Sequence, residues 1–153
     1  TTFNRAIGML RRRQIHVHTI TAAPWQLHDG DARMTVLFDA EPAEAERLGA
    51  VFRSVVGIHE ASVYLVQDVV ARELALITIA SADGERGELL DMLQLYGAVI
   101  VEEATDAVVA EVSGSAAWVL SCLRALERFR ITEVARSGAV AVQRVIHSTG
   151  SLA

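Results

Sequence analysis

Alternating helix-period and strand-period segments predict an α+β protein made of two βαββαβ (ferredoxin-like) units in tandem, the first lacking its opening strand. Two observations carry this. The second half of the chain runs strand, helix, strand, strand, helix, strand, and the first half runs helix, strand, strand, helix, strand, the same order without its first member. Composition agrees: 153 residues, 52% hydrophobic and 22% charged, suffice for two small cores, and with aromatics at 5% those cores are aliphatic. The boundaries fall at residues 1–67 and 72–144, with 145–153 a flexible tail.

Taken in order, residues 2–13 carry Phe3, Ala6, Ile7 and Leu10 at helical spacing and end in Arg11-Arg12-Arg13, cations that suit the negative end of a helix dipole. Ile15–Ala23 reads as a strand with His16 and His18 on one face; Pro24 ends it and Asp29-Gly30 marks a turn. Arg33–Asp39 alternates, placing Met34, Val36 and Phe38 on one face. Pro42 opens a helix with an apolar stripe at Leu48, Val51, Phe52 and Val55, with Gly57 as its stop, and Ile58–Val66 is a further strand.

After a linker at 67–71, Leu74–Ile79 is apolar on both faces, as a central strand should be. A helix over 84–96 is closed by Gly97, a hairpin joins Ala98–Glu102 to Ala107–Val112, and Ser115 caps the helix bearing Val119, Leu123 and Leu126. Ile131–Arg144 then reads as one strand with a Ser137-Gly138 step, and Glu133 and Arg136 inside it have two readings, solvated residues or interface residues. In a ferredoxin-like sheet the first strand is central, so its loss leaves the backbone groups of both neighbours unpaired. The expectation is an upstream strand in the natural gene product, or a strand supplied by another chain.

The chemistry is sparse. Fourteen basic against nineteen acidic residues give a net charge of −5, which removes the general attraction to phosphate, and the triple arginine is explained by the helix dipole; no nucleic acid is expected. Cys122 lies mid-helix as a small buried hydrophobe. There is no glycine-rich phosphate loop, no nucleophile elbow and no Ser or Cys with an evident His partner, so no catalytic residue is assigned. His16-x-His18 has a spacing that a metal can use, with His59 a candidate third ligand, but nothing supplies the rest of a site and no metal is assigned. Trp25 reads as an exposed anchor and Trp118 as packing. A lone cysteine, no visible signal peptide and no apolar run of the ~18–20 residues that a bilayer span needs lead to the expectation of a cytoplasmic protein without membrane contact. A sheet with helices on one face leaves the other free to pair with a second copy, hence a homodimer.

Several motifs in order carry a family resemblance: Phe3-x-Arg5-x-Ile7-Gly8, Ile20-Thr21-x-Ala23, Arg33-Met34-Thr35-Val36, Arg72-Glu73-Leu74-Ala75-Leu76-Ile77 and Ile131-x-Glu133-Val134-Ala135-Arg136-Ser137-Gly138. With these the chain resembles the regulatory (small) subunit of acetolactate synthase, also called acetohydroxyacid synthase, which carries an ACT domain followed by a second ferredoxin-like domain. The resemblance implies a protein with no catalytic site of its own. Such a protein binds and activates the thiamine-diphosphate-dependent catalytic (large) subunit and confers feedback inhibition by valine or a related branched-chain amino acid. Thiamine diphosphate, Mg²⁺ and FAD are then expected on the partner and none on this chain. By resemblance the effector-binding positions are Thr1, Thr2, Phe3, Asn4, His16 and Val17, and Glu133 and Arg136 are candidates for the catalytic-subunit interface. The chain departs from the family where the effector is held: the first strand and its asparagine-containing loop are absent, Thr1 stands for the loop's glycine, and His16 stands for a second asparagine. The alternative is a stand-alone ACT-like sensor of an amino acid or metal without a synthase partner; an enzyme in its own right ranks last.

Overall fold

The computed structural model describes residues 2–24, 30–81 and 84–145. The chain divides into two compact units, one of residues up to Val70 together with those from Ala141, the other Ala71–Val140. The fold is α+β, in tandem ferredoxin-like units.

In the first unit, helix α1 (Thr2–Arg12) buries Ala6 and Leu10, one face of the expected stripe, while Phe3 stays 44% exposed. Gln14, at φ 53, turns the chain into β1 (His16–Pro24), which pairs antiparallel with β2 (Ala32–Asp39). These two strands form a sheet of their own, and no residue in either is fully buried. Helix α2 (Pro42–Arg53) starts on its proline as expected and buries Leu48 and Gly49. It ends earlier than expected: Ser54, not Gly57, is its C-cap, and Val55 lies beyond it. Trp25 and Asp29 lie outside the described residues.

The expected strand at Ile58–Val66 does not form. Residues 58–65 are without regular structure and Val66–Asp68 is a 3-10 turn. A strand exists only through ladder partners, and among the described residues this segment has none. It is held by α2 instead, with Arg53 Nη1 donating to the Ala61 carbonyl at 2.7 Å. Gly49 admits it closely, since a Cβ there would come within 2.6 Å of Val63 Cγ2.

The expected 67–71 linker is also mostly ordered, because β3 (Val69–Ala80) begins at Val69. The second unit follows with α3 (Arg86–Leu95), β4 (Val99–Glu103), β5 (Ala107–Gly114), α4 (Ala116–Leu126) and β6 (Arg130–Arg136). The strand order β4-β5-β3-β6, antiparallel throughout, is the ferredoxin-like arrangement with its first strand central. Alternate β3 residues Ala75, Ile77 and Ile79 meet Val108, Ala110 and Val112 of β5 on the helix-covered face, where Leu89, Leu93, Val119, Cys122 and Leu126 close the core. Ser115 Oγ accepts from the Trp118 backbone N–H at 3.2 Å, the expected cap, and Trp118 packs on Tyr96 with ring centroids 5.0 Å apart.

Ile131–Arg144 is not one strand. It breaks into β6 and β7 (Val140–Gln143), both pairing with β3, and Gly138 at φ 77 makes the break, a backbone conformation that suits glycine. Ser137 fixes the corner: its N–H donates to the Leu74 carbonyl at 2.9 Å and its Oγ accepts from the Leu74 N–H at 3.0 Å. Of the expected tail, Val145 is exposed and 146–153 lie outside the described residues. Among the described residues no helix is long and apolar enough to cross a membrane.

Candidate functional site

Glu133 and Arg136, three residues apart on the edge strand β6, have different fates. Glu133 sits opposite Thr78 and is exposed, on the sheet face away from α3 and α4. Arg136 sits opposite Ala75, and its guanidinium grips Glu73, donating from Nε to Oε1 at 3.0 Å and again from Nη2 to the same oxygen. The Glu73 side chain is 1% exposed and that of Arg136 39%, so the arginine neutralises a carboxylate removed from water. Arg136 therefore has a partner within this chain, with part of its side chain still exposed. Glu73 as its partner escaped the sequence reading, although parity with Ala75 and Ile77 already puts that acid on the inner face.

The effector-binding positions separate into two sets. Thr2, Phe3 and Asn4 form the first turn of α1, and Phe3 and Asn4 are exposed; Thr1 lies outside the described residues. His16 and Val17 open β1, beyond the other end of the helix, which at its rise per residue is ~15 Å long. Within one chain the two sets stand at opposite ends of α1. An open depression on that helix is lined instead by Arg5, Met9, Arg12, Val55 and Val56.

His16 has other neighbours. The hairpin register places it directly opposite Asp39, and a bulge between Val17 and Thr19 leaves His18 as the extra residue of β1. His18 Nε2 lies 2.9 Å from Asp39 Oδ2, and the two imidazole rings meet edge to face at 4.8 Å. One ligand atom from each of the three residues lies within 4.8 Å of the others. His59, the third ligand suggested by sequence, is elsewhere, 3.8 Å from Asp31. The signal that would have found Asp39 is the hairpin register, since it closes β2 opposite the residue that opens β1.

Cys122 is wholly buried, and burial pushes its thiol up from its ordinary range, away from the reactive thiolate. Glu103 is paired with Arg86 at 2.5 Å, while Glu102 is exposed.

The fold defines a tandem ferredoxin-like α+β protein. Residues 72–145 match the family described as the small subunit of acetolactate synthase, and similarity to proteins of that name extends through the first unit. The chain is 26% identical over 140 residues to the acetolactate synthase small subunit of Mycolicibacterium smegmatis, covering 92% of this chain and 82% of that one. It is 27% identical over 142 residues to that of Bacillus subtilis, covering 92% and 82%. The crystal structure of the acetolactate synthase small subunit from Thermotoga maritima has the same fold, with a TM-score of 0.85 over 94% of this chain and 89% of that chain, at 19% identity.

Proposed function

We propose that this chain is the regulatory subunit of an acetolactate synthase: it binds the catalytic subunit, raises its activity and confers feedback inhibition by valine or a related branched-chain amino acid, in the biosynthesis of valine, leucine and isoleucine. The observation that carries this reading is similarity to proteins named as small subunits along 92% of the chain, through both units. Catalysis belongs to the partner, which holds thiamine diphosphate, Mg²⁺ and FAD. Glu133, exposed on an edge strand, meets that partner, and the partly exposed Arg136, which also pairs with Glu73, stands beside it as the second interface residue.

The functional unit is a homodimer. A second copy covers the part of the second sheet's outer face where Leu76 is 40% and Val99 60% exposed on either side of Glu111, and leaves Glu133 on the edge strand β6 to the catalytic subunit. The effector is bound between copies, because the two sets of effector positions stand at opposite ends of α1 within one chain. Its effect on the distant catalytic centre is a coupling free energy between the two sites, and reciprocal.

Two measurements test this. Co-purification with the cognate catalytic subunit is expected; a catalytic subunit that passes over the immobilised chain unretained supports the stand-alone sensor instead. Calorimetry with valine is expected to show binding that tightens in His16→Asn, which restores the residue the family carries there. Unchanged binding in that variant removes His16 from the effector site.

A further inference from the structure

The geometry points to a binding site for a first-row transition cation of the zinc, cobalt or nickel type at the open end of the β1–β2 hairpin, with His16, His18 and Asp39 as its protein ligands. This rests on side-chain placement alone and is independent of the chain's role toward a synthase.

Directly opposed residues of an antiparallel pair point to the same side of the sheet, so the register that matches His16 to Asp39 brings an imidazole and a carboxylate together. The bulge adds the third group. Bulges re-aim a side chain, and here the extra residue is His18, whose Nε2 reaches Asp39 Oδ2 at 2.9 Å while its ring meets that of His16 at 4.8 Å. A hydrogen bond between His18 and Asp39 accounts for two of these three residues. It does not account for a second imidazole turned onto them at a surface with no core to fill.

Two nitrogens and one carboxylate oxygen are a borderline donor set that suits zinc, cobalt and nickel, whereas calcium and magnesium prefer all-oxygen shells. Ligand atoms at ordinary metal–ligand distances of a tetrahedral ion are ~3.4 Å apart. The three atoms here lie within 4.8 Å of one another, and all three residues are exposed, so rotation about their own side-chain bonds closes the difference. Water completes the shell, which makes the site exchangeable rather than structural.

The test uses the full chain, free of any purification tag and dialysed against chelator, titrated with Zn²⁺ by calorimetry and with Co²⁺ by visible absorption. One saturable site per chain is expected, with ligand-field bands for Co²⁺ and no competition from excess Mg²⁺ or Ca²⁺. His18→Ala and Asp39→Asn are each expected to weaken Zn²⁺ binding about tenfold or more, while His59→Ala leaves it unchanged. Far-UV circular dichroism verifies each fold, and His18→Asn replaces any variant that fails it. Absence of saturable Zn²⁺ binding overturns the proposal, as does wild-type stoichiometry and affinity in the His16→Ala/His18→Ala double variant.

Discussion

Glu73 and Arg136 show how a charge in a strand takes its meaning from parity. Both sit on the inner face of their strands, one deeply buried, and the pair spans β3 and β6 beside the core. Removing the arginine leaves a carboxylate without countercharge in a dry place, so Arg136→Ala is expected to cost about 2 kcal/mol, less than a fully buried pair because the arginine is partly solvated. Adding Glu73→Gln to that variant recovers part of the loss in urea unfolding. Glu133→Lys, on the outer face, is expected to leave the unfolding midpoint unchanged and to weaken association with the catalytic subunit about tenfold, read from the concentration that half-saturates stimulation. Cys122 is expected to resist a thiol reagent in the native chain and to react at once in denaturant. Because burial raises its folded pKa above the unfolded value, its contribution to stability is full below the unfolded pKa and is lost as pH rises through the folded one.

The elements were legible wherever a segment's own residues decide its structure. Alternation at Ala75, Ile77 and Ile79 marks β3, Ser115 marks the start of α4, and Gly97 the turn after α3. Failures came where a distant partner decides. Ile58–Val66 has strand-forming residues but no ladder to join among the described residues, and Ile131–Arg144 has a continuous β-branched pattern that Gly138 interrupts to serve two positions along β3. The hairpin register that gathers His16, His18 and Asp39 depends on a bulge, which hydrophobic periodicity does not encode. Gly49 is where 58–65 meets α2, and Gly49→Ala, which forces Val63 aside, is expected to cost about 1–3 kcal/mol despite the better helix propensity of alanine. Proteolysis read by mass spectrometry is expected to find the first new cleavages of that variant within 58–65.

At the scale of the whole molecule the two units differ in how much they bury. The second closes a core of paired sheet and helices, while among the described residues of the first Ala6, Leu10 and Leu48 are buried and the strands β1 and β2 have no fully buried residue. Leu76→Glu, which puts a second carboxylate beside Glu111 on the sheet face proposed to pair, is expected to halve the mass measured by light scattering while leaving far-UV circular dichroism intact. The motifs pointed from sequence to the family that residues 72–145 match, whereas the proposed mode of regulation rests on contacts between chains, which no single sequence displays. The most direct test of the central claim is acetolactate formation by the cognate catalytic subunit as this chain is titrated in. The account predicts a saturable rise in rate that valine reverses only when this chain is present; a rate that stays flat through a large excess of the chain contradicts it.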